Sequence, residues 1–301
     1  MMQKCTDIGL MTANRRQILA WAFGGLAALV SSGATARNNK ELVLAFIPQE
    51  NPEKLLVDVK AISAWLSREI GVQVRGFVTT DHAAAVEALR NGDADVSFMG
   101  ALPYVLANKM IGAEVVLAEI YRGKPVYTGR VFVRRDSAIR TLADLRGKSI
   151  AFSDPLSESG YLYPFDLFVE QGLLKRNEDP KKFFGKVYFA GGYQQAVQAV
   201  AAGLVDAAAA SQYAEALLSA QQQSDVKWIA ESKPIPSHAV IVRKGLAASV
   251  RSKFVEAMLK LNEPKFRPLL KHVYSPDGYV VAKPSAYDGV RKMATAYGLL
   301  K

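Results

Sequence analysis

Two stretches of the chain repeat one another in plan, and that repetition limits the fold more than any other feature. Residues 83–99 read AAAVEALRNGDADVSFM and residues 194–210 read QQAVQAVAAGLVDAAAA. Each runs as a helix into a glycine (Gly92, Gly203), reaches an aspartate three residues later (Asp95, Asp206) and passes into a short strand of small or apolar residues. Glycine ends a helix well because it takes the left-handed backbone there without a Cβ clash. Helix-Gly-x-x-Asp-strand is a common connection, but two copies in one chain suggest two α/β lobes of like construction.

The flanking sequence supports that division. Leu42 to Ile47 is an unbroken apolar run closed by Pro48, the pattern of a parallel strand buried on both faces. Leu55, Leu56, Val59, Ile62, Leu66 and Ile70 then recur at helical spacing, Gly71 ends the helix, and 72–78 reads as the next strand. Helix 82–90, strand 95–99 and helix 101–110 continue the alternation. Residues 126–134 form an extended run able to cross from one lobe to the other. A short helix at 141–147, a strand at 148–152 and a loop rich in Pro, Ser and Gly at 154–160 follow. An amphipathic helix then begins near Ser159 or Gly160. Residues 228–242, broken by Pro234 and Pro236, read as a return crossing, and the remainder as mainly helical, packing back on the first lobe. The expectation is an α/β, bilobal, hinge-closing binding protein with two hinge crossings. Lobe 1 is drawn at 37–128 with 240–301 packed on it, and lobe 2 at 129–239.

Residues 1–36 read as an export leader. Asn14-Arg15-Arg16-Gln17-Ile18-Leu19 is a twin-arginine core, Ala20–Val30 a moderately apolar stretch, and Ala34-Thr35-Ala36 an A-x-A cleavage site, so the mature chain is expected to start near Arg37 in the periplasm. The apolar stretch is too short to span about 30 Å of hydrocarbon at ~1.5 Å per residue. The net charge is +10; the leader takes Lys4, Arg15, Arg16 and Asp7 with it, leaving +8. Its loss also removes Cys5, the only cysteine, so the mature chain has no disulfide, no thiolate metal ligand and no Cys nucleophile. The Lys and Arg residues are scattered, without a block of five, which argues against nucleic acid as a partner of an exported protein.

Few residues advertise chemistry. Ser157-Glu158-Ser159-Gly160 lies between a predicted strand and a predicted helix, where backbone N–H groups and two hydroxyls suit an anion; plain helix capping by Ser157 or Ser159 explains the same residues. Glu158 is awkward beside an anion unless its side chain points away. His82 starts a helix, His238 follows Pro236 in the return crossing, and His272 is placed in the C-terminal helix. Tyr127, Tyr161, Tyr193 and Tyr213 recur where strands meet helices, positions equally suited to core packing. No H-E-x-x-H, acidic Ca²⁺ loop, P-loop or G-x-S-x-G occurs, so neither a cofactor nor a dedicated metal site is expected.

Taken together, F-I-P-Q-E-N-P, R-N-G-D-A-D-V, G-K-P-V-Y-T-G-R-V-F-V-R-R-D-S, D-L-R-G-K-S-I-A-F-S-D-P-L-S-E-S-G-Y-L-Y-P, F-A-G-G-Y-Q-Q-A-V-Q-A-V and S-K-P-I-P resemble the periplasmic phosphate/phosphite/phosphonate-binding proteins of ABC importers, from about Leu42 to Val242. That resemblance implies a type II periplasmic binding fold with ligand held between two hinged lobes. It also implies a divergent pocket. The family's tyrosine before the hinge matches Tyr127, and its Ser-Thr-Ser loop matches Ser157-Glu158-Ser159, with Glu in place of Thr. The tyrosine of its Asp-Tyr pair falls on His82, the histidine of its Gly-His motif on Tyr193, the aspartate after its Ile-Pro on His238, and an acidic group for the ligand's amine on Tyr213. An Asp facing an oxyanion needs a proton between them, and His238 lifts that requirement.

The sequence therefore points to a monomeric solute-binding protein that delivers a small ligand, preferably a phosphate- or phosphonate-type oxyanion, to an ABC permease. Alternatives are a sensor that reports to a kinase, and a pocket in which Glu158 with Tyr127, Tyr193 and Tyr213 holds a cationic or polar organic ligand, or in which His82, His238 and Glu158 hold a metal ion. Catalysis is not expected. The Tat machinery is the expected export partner. The ligand-contacting set is His82, Tyr127, Ser157, Glu158, Ser159, Gly160, Tyr193, Tyr213 and His238.

Overall fold

The structure, a computed structural model, describes residues 41–300. The leader 1–36 and the expected start at Arg37 lie outside the described residues. The first lobe opens with β1 (Glu41–Phe46), α1 (Pro52–Ile70), β2 (Gln73–Val78), α2 (His82–Asn91), β3 (Val96–Met99), α3 (Ala101–Ile111) and β4 (Glu114–Ile120). The chain crosses through β5 (Val126–Tyr127) and β6 (Gly129–Arg134). The second lobe adds β7 (Ser149–Phe152), α4 (Tyr163–Glu170), β8 (Lys186–Phe189), α5 (Tyr193–Ala201), β9 (Ala207–Ser211), α6 (Ala220–Asp225) and β10 (Val226–Glu231). It returns by β11 (Ile235–Pro236) to β12 (Ala239–Val242), α7 (Ala248–Lys260), β13 (Gly278–Val281) and α8 (Asp288–Ala296).

Both lobes are laid out alike. The six-stranded sheet runs β13-β4-β12-β3-β1-β2 and the five-stranded sheet β10-β6-β9-β7-β8. In each, the first strand of the lobe (β1 or β7) lies between two parallel neighbours. The next strand, β12 or β6, is antiparallel and is the continuation of a crossing from the other lobe. The crossings pair with each other as the two-stranded ribbon β5–β11, Tyr127 opposite Ile235 and Val126 opposite Pro236.

The repeated Gly-x-x-Asp has a structural cause. Gly92 and Gly203 take left-handed φ of 76° and 71° after their helices. Asp95 then accepts from Val43 N of β1 at 2.9 Å and from Arg243 Nε at 2.7 Å. Asp206 accepts from Ser149 N and Oγ of β7 at 2.8 and 2.7 Å. Each aspartate satisfies the edge of its lobe's central parallel strand.

Burial explains the unbroken apolar run of β1. Leu42, Leu44 and Phe46 pack toward α1 and α7 with Phe98 and Val240, while Ala45 and Ile47 pack toward α2 and α3 with Met99 and Tyr104. Fully burying a Leu, Ile or Phe contributes roughly 1.5–3 kcal/mol. In the second lobe Phe165, Phe168, Phe183 and Phe184 cover one face of the sheet and α5 the other.

Three local expectations are corrected. The C-terminal part contributes a strand, β13, paired with β4; Val280 and Val281 are exposed on it, so neither alternation nor a buried run marks it. The helix expected from Ser159 starts as a π-turn over Glu158–Leu162 and becomes α-helical only at Tyr163. His272 ends a 3₁₀ turn, with Nδ1 2.6 Å from Asp58 Oδ1. Among the described residues, no helix is long and apolar enough to cross a membrane.

Candidate functional site

The site begins with helix ends that lack caps of their own. The first N–H groups of a helix need acceptors from outside its ladder. α1 and α2 find them locally, in Asn51 and Asp81. α3 follows Gly100 and α5 follows Gly192, and neither has a capping side chain. Each is met from the opposite lobe. The Glu158 carboxylate accepts from Ala101 N at 2.9 Å and Leu102 N at 3.3 Å. Gln194 N faces the Gln49 carbonyl at 3.4 Å.

The π-turn sets Glu158 in place. Ser157 O accepts from Leu162 N at 3.0 Å, and Ser157 Oγ accepts from Gly160 N at 2.9 Å, so Ser157 does the capping that its position allowed. Gly160 is fixed by crowding: a β-carbon there would lie 2.5 Å from Ser153 Cβ. Glu158, fully buried, meets Gly100 across the boundary, where a β-carbon on the glycine would lie 2.4–2.8 Å from the carboxylate.

Around this carboxylate the remaining candidates close a network. Tyr127 Oη donates to Glu158 Oε1 at 2.5 Å and lies 3.3 Å from His238 Nε2. Tyr193 Oη lies 3.3 Å from the same nitrogen and accepts from Ser159 Oγ at 3.0 Å. His238 Nδ1 is 3.3 Å from Glu119 Oε2, and its Nε2 is 3.9 Å from Glu158 Oε1. The Tyr213 ring stacks over Tyr121 at 4.1 Å and Tyr127 at 6.2 Å. His82 N meets Asp154 Oδ2 of the second lobe at 3.4 Å. Seven of the nine sequence-derived candidates thus meet in or beside this network, while Ser157 and Gly160 shape the turn that carries Glu158.

The protonation tendencies follow from these contacts. Burial opposes charge on His238, but the Glu119 hydrogen bond and the charges of Glu119 and Glu158 outweigh it and raise its pKa above the ordinary value. His82 goes the other way: burial lowers it, and Asp154 and Glu158 only partly offset that. Burial first, then Glu158, keeps the Tyr127 and Tyr193 phenols protonated, and burial pushes Tyr213 up to about 12.

Beside the network lies a cavity of about 40 Å³, room for roughly three waters. Tyr121, Tyr193, Tyr213 and Tyr274 line it, with Glu50 and His238; no Lys or Arg does among the described residues. Glu119 Oε1, Tyr213 Oη and His82 Nδ1 are buried without a hydrogen bond among the described residues. Among the described residues no three His, Cys, Asp or Glu side chains group as metal ligands.

Sequence reasoning missed Gly100, Glu119, Glu50, Tyr121 and Tyr274. Two signals were available: a βα junction at Gly100 with no Ser, Thr, Asp or Asn to cap the helix, and an acid, Glu119, inside the apolar run of β4.

Comparison with known proteins agrees with this architecture. The family model described as "ABC transporter, phosphonate, periplasmic substrate-binding protein" matches residues 44–287. The chain belongs to this family. Within it, the chain is 31% identical over 171 residues to the phosphate-import protein PhnD of Mycolicibacterium smegmatis, covering 55% of this chain and 53% of that protein. The chain thus spans about half the length of that curated relative. In fold it resembles a binding-protein component of an ABC phosphonate transporter from Pseudomonas aeruginosa, with a TM-score of 0.78, 20% identity and 87% of each chain covered. It also resembles PhnD1 from Prochlorococcus marinus, solved with methylphosphonate, with a TM-score of 0.76, 19% identity, and 87% and 99% covered. The two-lobed fold is shared with these neighbours, and in this chain the Glu158–Tyr127–His238 network lies where the two lobes meet.

Proposed function

We propose that this chain captures a small ligand between its lobes in the periplasm and hands it to an ABC importer, as a monomer and without chemistry on the ligand. A phosphate- or phosphonate-type oxyanion is the favoured ligand. The observation that carries this reading is the convergence of anion-seeking donors at the lobe boundary. Two helix N-termini lack caps of their own, His238 is biased toward its charged form, and the hydroxyls of Tyr127, Tyr193 and Ser159 join them. The phosphate-import relative and the methylphosphonate-bound neighbour support the same ligand class. Export by the Tat route belongs to the proposal and rests on Arg15-Arg16.

The four tyrosines and Glu50 around the small cavity, which no Lys or Arg lines among the described residues, favour a second reading: a cationic or polar organic ligand held by aromatic faces and charge. A thermal-shift panel of phosphate, phosphite, methylphosphonate, small amines and quaternary ammonium ions separates the two. A ligand at 100 times its Kd stabilises by about 2.7 kcal/mol. The first reading expects that rise from an oxyanion; a rise from amines alone would replace it with the second.

A further inference from the structure

α3 is a helix without a cap from its own sequence, and its N-terminal donors are taken by a carboxylate from the other lobe. The same carboxylate takes the Tyr127 hydroxyl and lies 3.9 Å from the His238 imidazole. Two backbone N–H groups, a phenol and an imidazole are the donor set that a small oxyanion needs. Glu158 has claimed the two N–H groups and the phenol and faces the imidazole. Gly100 makes room for this, since its missing Cβ is the space in which the carboxylate sits.

We propose that Glu158 is a tethered surrogate for the ligand: its carboxylate ties the lobes together when no ligand is bound, and it must be displaced before a free oxyanion can take its seat. The inference rests on the oxyanion reading above for its second half and on geometry alone for its first. A tethered competitor faces no translational cost of binding, so it is present at a high effective concentration. Free oxyanions then bind weakly unless they engage more donors than the single carboxylate does. Glu158 is thereby a specificity-determining residue as well as a contact between lobes.

The test uses the mature chain and two variants, Glu158→Thr and Gly100→Ala. The alanine methyl evicts the carboxylate without altering Glu158, and also intrudes on the vacated seat. Small-angle X-ray scattering without ligand should show the wild type compact and both variants expanded. Calorimetric titration with phosphate and methylphosphonate should show Glu158→Thr binding at least tenfold more tightly than wild type, and Gly100→Ala no more tightly. A residue with a merely structural role would not yield tighter binding on removal. Wild-type compactness in both variants overturns the tie between lobes. Unchanged or weaker oxyanion affinity in Glu158→Thr, where wild type does bind, overturns the competition. If the variants expand but neither they nor the wild type bind any oxyanion, the tie stands, while the competition and the oxyanion reading fall together.

Discussion

His238 Nδ1 lies 3.3 Å from Glu119 Oε2: His238 stands just before β12 and Glu119 lies on the antiparallel neighbour β4, and their backbones are also bonded, Glu119 N to His238 O at 3.0 Å. Because the imidazole pKa is raised in the folded chain, this pairing stabilises the fold fully below the ordinary histidine value of about 6.5 and loses that contribution as pH climbs through the raised value. Replacing His238 by Gln should cost about 1–3 kcal/mol near pH 6, with the difference from wild type shrinking toward pH 9. His82 acts oppositely: with its pKa lowered, its stabilisation is present above about 6.5 and fades as pH falls below it. Urea midpoints measured across this range check both, and a wild-type-minus-variant difference that stays constant with pH would refute the His238 assignment.

Asp95 and Asp206 do the same job in the two lobes at different depths. Asp95 is nearly fully buried, while Asp206 is half-buried. Asp95→Ala strands Val43 N and should cost about 2–3 kcal/mol, and Asp206→Ala about 1 kcal/mol. Chemical denaturation ranks them; equal losses would mean that burial does not decide the effect.

Ser159 Oγ reaches Tyr193 Oη at 3.0 Å, buried beside the Glu158 network. If it donates to a charged ligand oxygen, Ser159→Ala should weaken binding by about 1–3 kcal/mol, beyond the roughly 1 kcal/mol of fold stability lost with its buried bond to Tyr193. Titration of any oxyanion identified in the thermal-shift panel measures this, and undiminished affinity would exclude the hydroxyl from the contact.

Changing Arg15 and Arg16 together to Lys should leave unprocessed precursor inside the cell. Immunoblotting of cell fractions reads this directly, and normal processing would point to another export route. N-terminal sequencing of the exported chain should begin at or near Arg37.

The sequence made the lobed α/β plan legible because its signals are local: the apolar run at 42–47, helical spacing at 55–70, and the repeated Gly-x-x-Asp. The orientation of Glu158 was not legible. Its side chain answers to α3, 57 residues away in sequence, and the need it fills is a missing cap, which registers in a sequence only as an unremarkable glycine. β13 was hidden for a related reason. Its two valines are exposed at a sheet edge, and its partner β4 lies far earlier in the chain.

The return of β12 to the first sheet has a consequence for how the chain assembles. β12 sits between β3 and β4, inside the sheet rather than at its edge. The five strands β6–β10 of the other sheet are consecutive in sequence, so that half can condense as soon as it emerges from synthesis. The half that begins first must wait for residues made after its neighbour is complete, and it holds two strands apart until the missing one arrives. The slow step in acquiring the native state should therefore be closure of that long loop, and the N-terminal half should be the last to gain protection against amide exchange.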